Sequence, residues 1–392
     1  MLRSLYSGIS GLRSHQTMLD VTGNNIANVN TTGFKASAVQ FEDTLSQLVK
    51  GAGAPQTGTG GTNPAQIGLG VLVAGISTNF TQGAAQSTGR ATDMMINGDG
   101  FFVMKSGGET VYSRAGSLDP DALGRLVGPG GAILQGWNAV NGVVQQGGAL
   151  SDITIPLKSV TPATQTTAAT VAGNLPADAA DGDQLVRDVS VFDATGASRK
   201  LTLTFTKAGS TWNVAGADSL GQTGTSAVTF QSNGTLAPPA PVLSVGGVAV
   251  DLSTLTGYSG VTSVAFKDQN GKAAGTLESF TLDKDGTITG LFSNGDKQAV
   301  GRIALATFVN PGGLEKAGGS TYRATVNSGT AQLGGPGEDG LGSLQGGSLE
   351  MSNVDLSQEF TNLIVAQRGF QANARIITTS DEVLQELTNL KR

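Results

Sequence analysis

Few residues in this chain have the types and spacing that chemistry needs. Asp283, Lys284, Asp285 and Gly286 open like a calcium-binding loop, in which acidic residues alternate ahead of a glycine turn. The glutamate such a loop requires six residues beyond the glycine is absent, and Phe292 stands in its place. These residues therefore read as a β-turn. His15 is the only histidine, and spacing puts no acid or nucleophile beside it, so it reads as a packed or solvated side chain. There is no cysteine, which removes disulfides, thiolate nucleophiles and cysteine-ligated metals. The glycine clusters at 58–61 and 68–70 lack the lysine and the βαβ setting of a phosphate loop. The chain reads as a non-enzyme with no cofactor and no metal.

The elements at the two ends carry a different signal, one of packing. Leu2, Leu5, Ile9, Leu12, Gln16 and Leu19 recur at steps of three and four. Leu356, Phe360, Leu363, Gln367, Phe370, Ala374, Ile377, Asp381 and Leu384 repeat the pattern near the other end. Such spacing draws one narrow apolar stripe along a helix, the seam of a coiled coil. It predicts helices from near residue 2 to about residue 28 and over 353–392, the second a rod of roughly 57 Å. Gly8, Gly11 and Gly23 each weaken the first helix by about 1 kcal/mol relative to alanine, so packing must hold it. Ser352 with Asp355 three residues on reads as the capping box of the second helix. Asp355 and Glu359 suit the positive end of its dipole, and Lys391 and Arg392 the other.

Between the helices the chain reads as strands and turns. Glycine numbers 58 of 392 residues, about twice the average share, which implies many tight turns. Met94, Met95 and Ile96 and then residues 101–104 flank Asn97-Gly98-Asp99-Gly100, a hairpin signal. RKLTLTFT (199–206) alternates as a half-buried strand, and Trp137 and Trp212 read as core anchors. Residues 46–61 thin to Gly, Ala, Thr and Gln, the composition of a mobile or extended connector. Domain boundaries are expected near 159–172 and near 294–297. The net charge of −6 argues against a nucleic-acid surface. No apolar run approaches the roughly 18 residues of a membrane span, and MLRSLYSGIS lacks the apolar segment of a secretory signal.

The fold class expected is mixed α and β, with long terminal helices forming a coiled-coil layer and two predominantly β domains inserted between them. The terminal domain would comprise 1–30 and 353–392, a connector 31–70, an inner β domain 71–157 plus 297–352, and an outer β domain 158–296. Apolar stripes at both ends would be exposed in a single chain, and head-to-tail contacts that do not close into a ring generate a helical filament.

Several blocks resemble the bacterial flagellar rod and hook axial family. NNIANVNTTGFK (24–35) is similar to its N-terminal signature, carried by Asn24, Asn25, Ala27, Asn28, Thr32, Gly33 and Phe34. INGDGFFVM (96–104), YSRAGSLDPDALGRLV (112–127), FVNPGGLEKAGG (308–319) and residues 347–387 resemble later blocks, in family order. The large middle region, with VAGNLP (171–176) and FTLDKDGTITGLFSNG (280–295), looks like that of hook members rather than the shorter rod members. The resemblance implies a homopolymeric tube that is a flexible joint between rod and filament. It implies rod, hook-cap and hook–filament junction proteins as partners, and an extracellular place without membrane insertion. It also implies export through a type III gate without a cleaved signal. Phe41 and Leu45 resemble the Phe-x-x-x-hydrophobic export motif, although the same residues also suit an amphipathic turn packed on the β domain. Distal rod protein is the alternative within the family. A secreted carbohydrate-binding protein or glycosidase is the alternative outside it, weakened by having only four tyrosines and two tryptophans.

Overall fold

The computed structural model describes residues 2–58, 60–140, 142–156 and 160–389, with the side chain of Leu2 outside that description. The dipole role expected of Lys391 and Arg392, and the start of the outer domain at Lys158, lie outside the described residues. The chain forms two compact units. One comprises Met1–Ile155, Thr281–Thr289 and Ala299–Arg392, the other Pro156–Phe280 and Gly290–Gln298.

The first unit contains both helices, α1 (Leu2–Ala27) and α2 (Leu356–Asn389). At 1.5 Å per residue the 34 residues of α2 span about 51 Å. Its cap differs from the one expected: Asp355, not Ser352, accepts the free N–H groups of Ser357 (2.8 Å) and Gln358 (3.2 Å). A carboxylate at this position both bonds those donors and meets the positive end of the dipole, which a serine hydroxyl cannot match.

Beside the helices, strand Ser37–Asp43 pairs antiparallel with Val71–Thr78. Residues 46–50, within the stretch whose composition suggests a mobile or extended connector, instead pair with 65–68 as a β-hairpin. The turn at 97–100 joins two strands that do not pair with each other. Met94–Asn97 pairs with Ser343–Gly346, while Phe101–Ser106 pairs with Glu109–Ser113. Turn chemistry is local, whereas the choice of partner depends on which distant strand covers the apolar face. Around Phe101 a core of Val103, Tyr112, Trp137, Phe308 and Tyr322 packs with edge-to-face rings. Asp283 and Gly286 close a β-turn, the Gly286 N–H donating to the Asp283 carbonyl at 3.0 Å.

The second unit is a β-sandwich. Gln184–Phe192, Ser198–Ala208, Thr211–Asp218 and Thr223–Thr229 form an antiparallel meander. In Ser198–Ala208 the inward residues Leu201, Leu203 and Phe205 are buried, as the alternation predicts. The facing sheet holds Val242–Val245, Val248–Thr256, Ala168–Asn174 and Ala265–Gln269, with Ala168–Asn174 parallel to Val248–Thr256. Trp212 is fully buried between the sheets with Val171, Val250 and Leu252.

Candidate assembly site

The segment that leaves α1 is held by side chains with specific partners. Asn25 is buried, and its Nδ2 donates to the Ser37 carbonyl (2.8 Å) and to Glu359 Oε1 (3.1 Å), while its Oδ1 accepts from the Ser37 N–H (3.0 Å). One amide therefore ties α1 to the first strand and to the first turn of α2. Asn28 Nδ2 donates back to the Asn24 carbonyl (2.9 Å), and the Thr31 hydroxyl donates to Asn28 Oδ1 (3.0 Å), which ends the helix with side-chain bonds. Gly33 turns at φ +67°, and a Cβ there would lie 2.5 Å from the Ala115 nitrogen. Its N–H donates to the Glu350 carbonyl at 2.8 Å. Phe34 lies under the Lys316 amine, 5.0 Å from the ring centre. Thr32 is half-buried, and Asn24 and Ala27 are exposed.

Beneath this turn sits an ionic cluster removed from water. Lys35 Nζ donates to Glu350 Oε1 at 2.6 Å and to the Thr81 carbonyl at 2.7 Å, and both charged side chains are fully buried. Glu350 Oε1 also accepts from the Gly83 N–H at 2.9 Å. Its Oε2 lies 3.6 Å from Arg114 Nη1, within reach of the charge but too far for a hydrogen bond. Burial pushes the Lys35 amine below its ordinary range, opposed by the bond and charge of Glu350. Burial raises the carboxyl of Glu359, aided by the charge of Asp355 and opposed by the Asn25 bond.

Above the cluster α1 and α2 lie side by side, but the seam is not the stripe that spacing suggests. Leu5, Ile9, Leu12 and Leu19 are only half-buried. The buried positions of α1 are Gly8, Gly11, Ser14, Thr22 and Asn25, one face of small or polar residues. A Cβ on Gly11 would lie 2.8 Å from the Asn373 amide, and one on Gly369 would lie 2.5 Å from the His15 ring. Of the glycines that weaken α1 in isolation, Gly11 thus permits close approach of α2, Gly8 has room for a Cβ in ordinary contact at 3.5 Å, and only Gly23 is exposed. On α2, Ala366 is buried and Leu363, Phe370, Ala374, Ile377 and Leu384 are half-buried. Leu356 and Phe360 face outward, at 40% and 52% exposure, and Ile364, Val365, Ile376, Val383 and Leu387 are also exposed. An α2 so exposed retains apolar surface for a partner.

Phe41 sits in Ser37–Asp43 with its ring edge against His15, centroids 5.8 Å apart, and Leu45 is 85% exposed. Among the described residues no cluster of His, Asp or Glu is arranged to hold a metal, and no helix is long and apolar enough to cross a membrane.

Sequence reasoning missed the small-residue face, although its spacing of three is visible once the glycines are counted as contacts rather than weaknesses. It also missed the Lys35–Glu350 pair, for which no local spacing exists because 315 positions separate the partners.

Comparison with known proteins follows the same geography. A family model described as flagella basal body rod protein matches residues 5–35, covering most of α1 and the turn at Gly33. One for the flagellar hook protein FlgE/F/G D1 domain matches 95–179, and one for the flagellar basal body rod FlgEFG protein C-terminal matches 345–390. The flagellar hook protein FlgE of Borreliella burgdorferi is 40% identical over 442 residues, with all of both chains covered. The chain belongs to the flagellar hook protein family. The FlgE of Treponema pallidum is 39% identical to this hook subunit, again over the whole of both chains. The flagellar basal-body rod protein FlgG of Bacillus subtilis is 35% identical, also over the whole of both. The crystal structure of Helicobacter pylori flagellar hook protein FlgE2 shares the fold, with a TM-score of 0.51 at 15% identity, covering 68% of this chain and 100% of that one.

Proposed function

We propose that the chain polymerises through its terminal helices into the tube of the hook, a flexible joint carrying torque from rod to filament. The observation that carries this reading is the apolar surface of α2, above all Phe360, Ile364 and Val365, which α1 leaves uncovered. A surface of this kind on a paired helix suits packing against equivalent helices of further copies, giving a coiled-coil inner layer. In this reading 1–30 and 353–392 form that layer, 31–70 connects it, 71–157 with 297–352 makes an inner β domain, and 158–296 an outer one. Leu5, Ile9, Leu12 and Leu19, beside the seam, extend the contact surface, and Leu363, Phe370, Ala374, Ile377 and Leu384 hold α2 to α1. Rod, hook-cap and junction proteins would meet the two ends of the tube, outside the cell. Phe41 and Leu45 would be read by the type III gate while the chain is unfolded, before Phe41 packs on His15.

Electron microscopy of the full chain beside a truncation lacking 1–28 and 353–392 tests the reading, with hook restoration in cells as the companion assay. Tubes or restored hooks are expected from the full chain alone. Tubes from the truncated chain would refute it. Restoration of a rod-deficient strain in place of a hook-deficient one would favour the rod alternative.

A further inference from the structure

The second unit holds an open cavity of about 430 Å³ with a mixed polar and apolar lining. Its volume falls in the range of roughly 300–1,000 Å³ common to small-molecule sites. Lys207, at the end of Ser198–Ala208, lines it and is only 8% exposed. Its amine lies 5.4 Å from the centre of the Trp212 ring and donates to the Ala177 carbonyl at 3.3 Å. An ammonium has three donors, so two are left unspent. None of the ion pairs of the described residues includes Lys207. Its charge is felt at Asp178, but that carboxylate already accepts from the Gly260 N–H at 2.9 Å. A lysine this deeply buried is ordinarily paired.

The rim has complementary chemistry. The hydroxyls of Ser210, Ser232 and Ser259 and the amide of Gln231 line the cavity without hydrogen bonds to the described chain. Tyr258 adds an aromatic ring that is 51% exposed. Gly234 beneath it is required for this placement, because a Cβ there would lie 2.5 Å from Tyr258 Cε1. We infer that the cavity binds a small hydroxylated carboxylate, an acidic sugar of the uronic-acid class. The single cation of Lys207 takes the carboxylate, the serine and glutamine groups take ring hydroxyls, and Tyr258 covers a C–H face. One ammonium matches a singly charged carboxylate better than a doubly charged phosphate.

The test is ligand-observed saturation-transfer NMR on the full chain, titrated with D-glucuronate and separately with D-glucose. Glucuronate is expected to bind, and glucose at least about tenfold more weakly, the loss of one charge-assisted hydrogen bond. Lys207→Met keeps the stem over Trp212 and should weaken glucuronate about tenfold with an unchanged melting temperature. Absence of transfer to glucuronate, equal binding of the two sugars, or full binding by a folded Lys207→Met chain would each overturn the site. Should Lys207→Met not fold, Tyr258→Ala on the exposed rim decides: weakened glucuronate binding supports the site and unaltered binding overturns it.

Discussion

Lys35 and Glu350 form a fully buried ion pair in the first unit, with Arg114 a second, more distant counter-charge of Glu350. Lys35→Met leaves the Glu350 carboxylate with only the longer contact to Arg114 and should cost about 3–5 kcal/mol, read from the denaturant midpoint. Adding Glu350→Gln removes that charge while keeping an acceptor for the Gly83 N–H, so the double variant should be more stable than Lys35→Met alone. A double variant no better than the single one would mean that packing, or the Arg114 charge left without Glu350, outweighs the relief. Glu359 offers a pH test. Its carboxyl is raised by burial first, then by Asp355, so the folded chain takes up this proton at higher pH than the unfolded one. Its favourable contribution is complete below the ordinary glutamate value of about 4.3 and is lost as pH rises through the raised folded value. Glu359→Gln retains the acceptor for Asn25 and should melt above the wild type near pH 7, with the gap closing towards about pH 4. A gap independent of pH would remove Glu359 as its source.

At the scale of elements, the glycines of the helices separate two roles. Gly23 has open space where a Cβ would stand, so Gly23→Ala should stabilise the chain by up to about 1 kcal/mol through helix propensity. Gly369→Ala would press on the His15 ring and should cost about 1–3 kcal/mol. Thermal melts of both variants decide, and shifts in the same direction would contradict the close-approach seam. The existence of α1, α2 and the strand around Leu201–Phe205 was legible because each has a regular period of apolar residues. The seam face was not, because a helix with leucines on one stripe and glycines on the next gives no local sign of which stripe meets the neighbour. The partners of Met94–Asn97 were also hidden, since pairing with residues 343–346 depends on chain almost 250 positions away. Of the candidate site, the signature asparagines, Gly33 and Phe34 were visible by resemblance, and the structure supplies the bonds that occupy Asn25, Asn28 and Gly33.

For the whole molecule, the exposed side of α2 separates folding from assembly. Phe360→Asp changes a side chain that is 52% exposed and should leave the melting of the single chain within about 0.5 kcal/mol of the wild type. Tube formation in the electron microscope should be lost, and tubes of normal yield would move the contact elsewhere. The buried lysine–glutamate bond has a further consequence, one of timing. Its partners are 315 residues apart, so it closes only when nearly the entire chain is present. The strand that carries Glu350 pairs with residues 85–87, about as far away in sequence, whereas the meander of the second unit forms from short-range hairpins, and contacts across so long a loop come late and slowly. A chain that emerges N-terminus first would therefore carry its own delay: the second unit can be complete while the roots of the two helices still wait for the last strand to arrive.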